Sequence, residues 1–100
     1  MVTREHVIEV LKTILDPELG IDIWNLGMIY EVGVEEGVVN IVMTLTTIGC
    51  PIYEELEREI QDKVGSLEGV KDVHVHLVFN PPWSPEFMTE EGKMLLRYMF

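Results

Sequence analysis

The chain reads as an α+β domain: a two-layer sandwich with helices on one face of a small, mostly antiparallel sheet, in the order α-β-β-α-β-α. Three observations predict it. Apolar residues recur at helical spacing in a stretch near each end and another in the middle, and they alternate with period two in three further stretches. A short "EEG" turn links the first two alternating stretches into a hairpin. A chain of 100 residues, 47% of them hydrophobic, suffices for a single modest core, so residues 1–100 are expected to form one domain with no interdomain cleft.

Val7, Ile8, Leu11, Ile14 and Leu15 repeat at helical spacing behind Thr3, a good N-cap, until "DPELG" stops the run at Pro17 and Gly20. "IDIWNLG" is an irregular connector. Met28, Tyr30, Val32 and Val34 then alternate with Ile29, Glu31, Gly33 and Glu35 as a half-buried strand. After the turn at Glu35 to Gly37, Val39, Ile41, Met43 and Leu45 form the inward set of a second strand.

Ile52, Leu56, Ile60 and Val64 fall at i+4 intervals among Glu54, Glu55, Glu57 and Glu59, the pattern of an amphipathic helix ending near Gly65 to Gly69. Val73, Val75, Leu77 and Phe79 face inward on a third strand, while Asp72, His74, His76 and Val78 face away. This strand returns through the second helix and can lie beside either hairpin strand. The prolines of "NPPWSPEF" forbid regular pairing, and Thr89 caps a last helix with Met94, Leu95 and Tyr98 on one face, weakened by Gly92 in its first turn.

Seven basic residues against eighteen acidic give a formal charge of -11, which repels phosphate backbones and disfavours nucleic-acid binding. No apolar run reaches the roughly 20 residues of a membrane span, and "MVTREHVIEV" lacks the apolar core of a secretory signal. The expected protein is cytoplasmic, without membrane partners. One cysteine makes no internal disulfide, so its thiol serves packing or function.

That cysteine, Cys50, lies in "TTIGCPIYEEL" between Gly49 and Pro51, at the passage from second strand to second helix. Proline favours the first helical position, which puts Cys50 at the cap, where free amides and the helix dipole favour thiolate, the form a nucleophile or metal ligand requires. Glu54 and Glu55 oppose that effect. The competing reading is a small buried hydrophobe.

Asp22 stands among Ile21, Ile23 and Trp24, a setting in which a carboxylate needs a hydrogen-bonding partner. Asp16 and Glu18, around Pro17, read as a helix-ending turn. His74 and His76 share a strand face at a spacing that suits two imidazoles on one metal, but an exposed strand beside Asp72 explains them more simply and no other histidine or cysteine lies near in sequence to complete a site; His6 is an exposed polar residue. Trp83 packs into the core or anchors a partner. There is no glycine-rich phosphate loop, no paired-cysteine motif, no resolving cysteine and no histidine beside Cys50 in sequence, so an enzyme is not expected.

The motifs D-P-E, D-I-x-x-L-G-x-I-Y, T-x-x-G-C-P and P-P-W, in this order and separation, make the chain from about Val2 to Lys93 resemble the SufT-like and PaaD-like family of iron-sulfur assembly domains, also termed metal-sulfur cluster biosynthetic. The resemblance implies a small two-layer fold and a role in maturing iron-sulfur proteins, with Cys50 matching the characteristic cysteine and Asp22 the characteristic acidic position. Two positions depart from the pattern. Ile48 stands where proline is usual, and Asn25 replaces an acidic residue, which removes one potential oxygen ligand.

The leading expectation is that Cys50 is the ligand of a transient iron or iron-sulfur cluster on its way to client apoproteins. Asp22 serves as a second ligand or holds the cysteine loop, and Trp83 packs beside it or anchors the client. One thiol supplies one of the four ligands usual for a [2Fe-2S] cluster, so the remainder must come from a dimer mate, an assembly partner or small thiols. Exposed strand edges and the apolar "LLRYMF" allow a homodimer without demanding one. The rival expectations are a metal-free adaptor that recruits clients to the assembly machinery, and a PaaD-like accessory to a multicomponent monooxygenase. The loops of Cys50, Asp22 and Trp83 are expected to meet at one edge of the sheet.

Overall fold

The computed structural model describes residues 2–17, 19–45 and 53–99. Helix α1 (Arg4–Leu11) leads through a long connector to β1 (Ile29–Glu35) and β2 (Val38–Met43); helix α2 (Tyr53–Gly65) returns the chain to β3 (Asp72–Leu77), and a single 3-10 turn (Pro85–Phe87) precedes α3 (Glu90–Met99). The order α-β-β-α-β-α and the α+β class are as expected. The expected glycine turn and cap at Gly49 and Cys50, and the Ile52 position of α2, fall in residues 46–52, outside the described residues; so do the side chains of Tyr98 and Met99.

The sheet is mixed rather than mostly antiparallel, with strand order β1-β2-β3 and one antiparallel and one parallel pairing. β1 and β2 pair antiparallel from Glu35↔Val38 outward, across a two-residue turn whose residues both have positive φ, Glu36 at 48° and Gly37 at 84°. That is the mark of a type I′ turn, whose twist matches the strands it joins. β3 lies beside β2 and parallel to it, Val38↔Asp72 through Met43↔Leu77. A helical crossover brings a strand back in the same direction, which a tight turn cannot do.

The core takes Val7 and Leu11 from α1, Leu56, Ile60 and Val64 from α2, and Val32, Val39, Ile41, Met43 and Val73 from the sheet. The i+4 positions of α2 are buried as its spacing predicts, each worth about 1.5–3 kcal/mol of removed apolar surface. Thr3 caps α1 as expected. Its hydroxyl accepts from the His6 amide at 3.3 Å, and its own amide donates back to His6 Nδ1 at 3.2 Å, so exposed His6 closes a capping box.

Three further expectations need correction. α1 stops at Leu11 rather than running to Leu15, because Thr13 and Ile14 donate their amides to Val10 and Leu11 in tighter turns; Ile14 stays buried while Leu15 is exposed. Phe79 lies beyond the end of β3 and is exposed. On α3, Met94 and Leu95 point to solvent and Leu96 touches the core instead, since the helix approaches the body by its first turn.

The connector is itself core. Ile14, Ile21, Ile23, Leu26 and Met28 are almost wholly buried. Irregular backbone can be buried only if its polar groups are paired. Here they are: Asp16 N donates to Ile21 O, Ile23 N to Ile14 O, Leu26 N to Asp22 O and Met28 N to Ile23 O, all between 2.9 and 3.2 Å.

Candidate functional site

Asp22 begins a tight turn. One carboxylate oxygen accepts from the Asn25 amide and the other from Asn25 Nδ2, both at 2.9 Å, so a carboxylate only 6% exposed is satisfied by a residue three positions on. Such a group needs this pairing to remain in an apolar setting. Asp16, fully buried on the other side of the Leu15↔Asp22 bridge, accepts from the Leu19 amide at 3.2 Å, the helix-ending turn that Asp-Pro predicts.

Asn25 carries the network to the far end of the chain. Its Nδ2 also donates to Glu91 at 3.0 Å, its Oδ1 accepts from the Thr89 hydroxyl, and its backbone carbonyl accepts from the Thr89 amide at 3.0 Å. The Thr89 hydroxyl in turn accepts from the Gly92 amide at 3.0 Å and so caps α3, as Thr89 was expected to do. Asn25 therefore couples Asp22 to the first turn of α3. The sequence marks Asn25 only as a missing acidic ligand; a D-x-x-N pattern at a turn is the local signal for its bond to Asp22, but nothing local announces Thr89 or Glu91.

Trp83 closes the same corner. It is half-buried against the core and its indole N–H donates to the Leu26 carbonyl at 2.7 Å, one turn beyond Asp22. The loop that carries it also holds Tyr30, whose hydroxyl donates to the Pro81 carbonyl at 2.8 Å and whose ring meets Phe87 edge-on, with centroids 5.7 Å apart. The Asp22 and Trp83 loops are thus one assembly.

β2 runs into this corner as well, since the Thr44 amide donates to the Met28 carbonyl at 2.8 Å. Thr44 is fully buried, and its hydroxyl makes no hydrogen bond among the described residues. Burial raises the Tyr30 phenol above its ordinary pKa, offset in part by the Thr44 hydroxyl, an interaction that falls short of hydrogen-bond geometry. Thr44 and Tyr30 are site neighbours that strand alternation cannot single out.

Cys50 lies outside the described residues. On the open face of the sheet, His74 Nε2 lies 3.2 Å from Asp72, with His76 exposed nearby. Among the described residues, no three His, Cys, Asp or Glu side chains are grouped to hold a metal, and no helix is long and apolar enough to cross a membrane.

Residues 4–77 match the family model described as iron-sulfur cluster assembly protein. The chain belongs to this iron-sulfur cluster assembly family. The chain is similar to an Fe-S protein maturation auxiliary factor, YitW, of Bacillus subtilis, 42% identical over 94 residues, covering 93% of this chain and 92% of the relative. The SufT maturation auxiliary factor of Staphylococcus aureus is 39% identical over 84 residues, 83% of this chain and 96% of its own. A crystal structure of a domain of unknown function, DUF59, from Bacillus anthracis superposes with a TM-score of 0.87 at 35% identity over 94% of this chain and 91% of that one. Both of these bacterial relatives are named as Fe-S protein maturation auxiliary factors.

Proposed function

We propose that the protein is an auxiliary factor in the maturation of iron-sulfur proteins, with Cys50 supplying a thiolate to iron or a small cluster in transit to a client. The observation that carries this reading is that the chain's single thiol falls inside residues 4–77, the span shared with the family. The cargo must be released, so few protein ligands suit the task; the remaining positions on the metal fall to an assembly partner, a client or small thiols.

Of the two roles open to Asp22, ligand and support, hydrogen bonding favours support. Both of its oxygens already hold Asn25, and through Asn25 they fix the start of α3. Trp83, only half-buried, offers the rest of its ring to the client. The partners in this reading are the assembly machinery and apoproteins.

Anaerobic reconstitution with ferrous iron and sulfide, followed by absorbance and iron counting, tests the reading. The wild-type chain gives a thiolate-to-iron absorption that Cys50→Ser loses, together with client maturation and without loss of fold. A Cys50→Ser protein that matures clients normally removes the thiol from the mechanism. The net charge of -11 favours one second reading, a metal-free adaptor whose acidic surface brings clients to the machinery. Its signature is partner binding that weakens with salt and is indifferent to Cys50.

A further inference from the structure

β1 is an edge strand. Its two-residue turn makes Glu35↔Val38 a hydrogen-bonded pair, so counting back along the antiparallel ladder, Gly33 and Glu31 also bond to β2, while the amides and carbonyls of Val32 and Val34 point away from it. Among the described residues, no backbone hydrogen bond reaches these groups from the outer side. Such an edge is a template for another extended chain.

Three features define the chain that fits. Glu31 and Glu35 are exposed on the open face of β1, Glu86 is exposed nearby in sequence to the Phe87 contact, and neither β1 nor the stretch from Asn80 to Thr89 carries Lys or Arg. Between the two glutamates, Gly33 leaves a notch: a Cβ placed there would meet nothing within 4 Å. At the start of the strand, Ile29 and Tyr30 line an open groove of about 440 Å³ with Gly27, Pro81 and Phe87, Phe87 being 41% exposed.

We infer that the outer edge of β1 is a docking site for an extended basic segment of another protein, with the pattern basic-x-aromatic-x-basic on the face it shares with Glu31, Gly33 and Glu35. The two basic residues stand opposite the glutamates, the aromatic ring covers Gly33, and the continuing chain lays an apolar residue into the Tyr30–Phe87 groove. Side chains approach most closely at non-hydrogen-bonded positions, and those are the positions of Glu31, Gly33 and Glu35 toward an added strand. Opposite charges and an aromatic over an edge glycine both stabilise such pairs. A second copy of this chain fits poorly: antiparallel pairing of two β1 strands centred on Gly33 sets Glu31 opposite Glu35 of the other copy, and the net charge of -11 adds repulsion.

The test uses the full chain and a cysteine-free acetylated peptide, TKVFVKT, so that its outcome is independent of any metal at Cys50. On titration, the Val32 and Val34 amides become protected from hydrogen exchange. Binding weakens with salt, falls at least about tenfold for the exposed charge-reversal variant Glu31→Lys/Glu35→Lys, and is lost when the two peptide valines are N-methylated, which keeps every charge but removes the ladder donors. Full binding by the N-methylated peptide, perturbation centred on the α2 glutamates rather than β1, or indifference to the charge reversal would each overturn the proposal.

Discussion

Gly92 in the first turn of α3 lies directly against the carbonyl of Asn25. A Cβ at position 92 would sit 2.4 Å from Asn25 O and 3.0 Å from its carbonyl carbon. Replacing a helical glycine by alanine ordinarily favours the helix by about 1 kcal/mol. Here the expected sign is reversed: Gly92→Ala pushes α3 off the connector and destabilises the protein by about 1–3 kcal/mol, the usual cost of overpacking. Denaturant unfolding measures it, and a more stable variant would refute the contact.

Asn25→Asp restores the acidic residue that the sequence pattern leads one to expect. It replaces the amide donor that serves both Asp22 and Glu91 with a third carboxylate. The expected loss is about 1–3 kcal/mol for the unmade hydrogen bonds, with like-charge repulsion added. Glu91→Gln in the same chain should recover part of it, and the non-additivity in a double-mutant cycle is the readout.

Trp83→Phe keeps an aromatic ring but removes the indole donor to Leu26 O. Stability should fall by about 1 kcal/mol or more, with faster hydrogen exchange in the Asp22 to Met28 segment, which Asn25 and the Thr44 and Ile14 backbone bonds also hold. Unchanged exchange would mean that the turn holds without the tryptophan.

Alkaline stability depends on Tyr53. Burial first, then its hydrogen bond and proximity to Glu57, push the phenol up to about 12 from 10.0; its hydroxyl lies 2.6 Å from Glu57. The folded chain holds this proton more tightly than the unfolded chain. The resulting stabilisation is complete below pH 10 and is lost as pH rises through about 12. Tyr53→Phe should flatten that decline in a series of unfolding curves, leaving the smaller slope that the raised Tyr30 phenol contributes.

Much of this molecule was legible because its signals are local. The spacing of Leu56, Ile60 and Val64 defines the buried stripe of α2, the alternation through Val39, Ile41 and Met43 sets the inward face of β2, and Thr3 and Thr89 announce the helices they cap. Each depends on residues within a few positions of one another, which is the range over which helical and strand periods act. The four motifs likewise carry the family resemblance within the sequence itself.

The parallel placement of β3, the burial of an irregular connector and the outward turn of Met94 and Leu95 were decided only by tertiary structure. Alternation shows that a strand has an inner face and is silent on which edge it joins. Hydrophobicity marks Ile21 and Ile23 as candidates for the core without showing how their backbone is satisfied. The union of Asn25 with Thr89 and Gly92 spans more than sixty residues, and no periodic pattern reaches that far: the contact exists because packing brings two chain segments within hydrogen-bond range, and its chemistry is then set by what each happens to present.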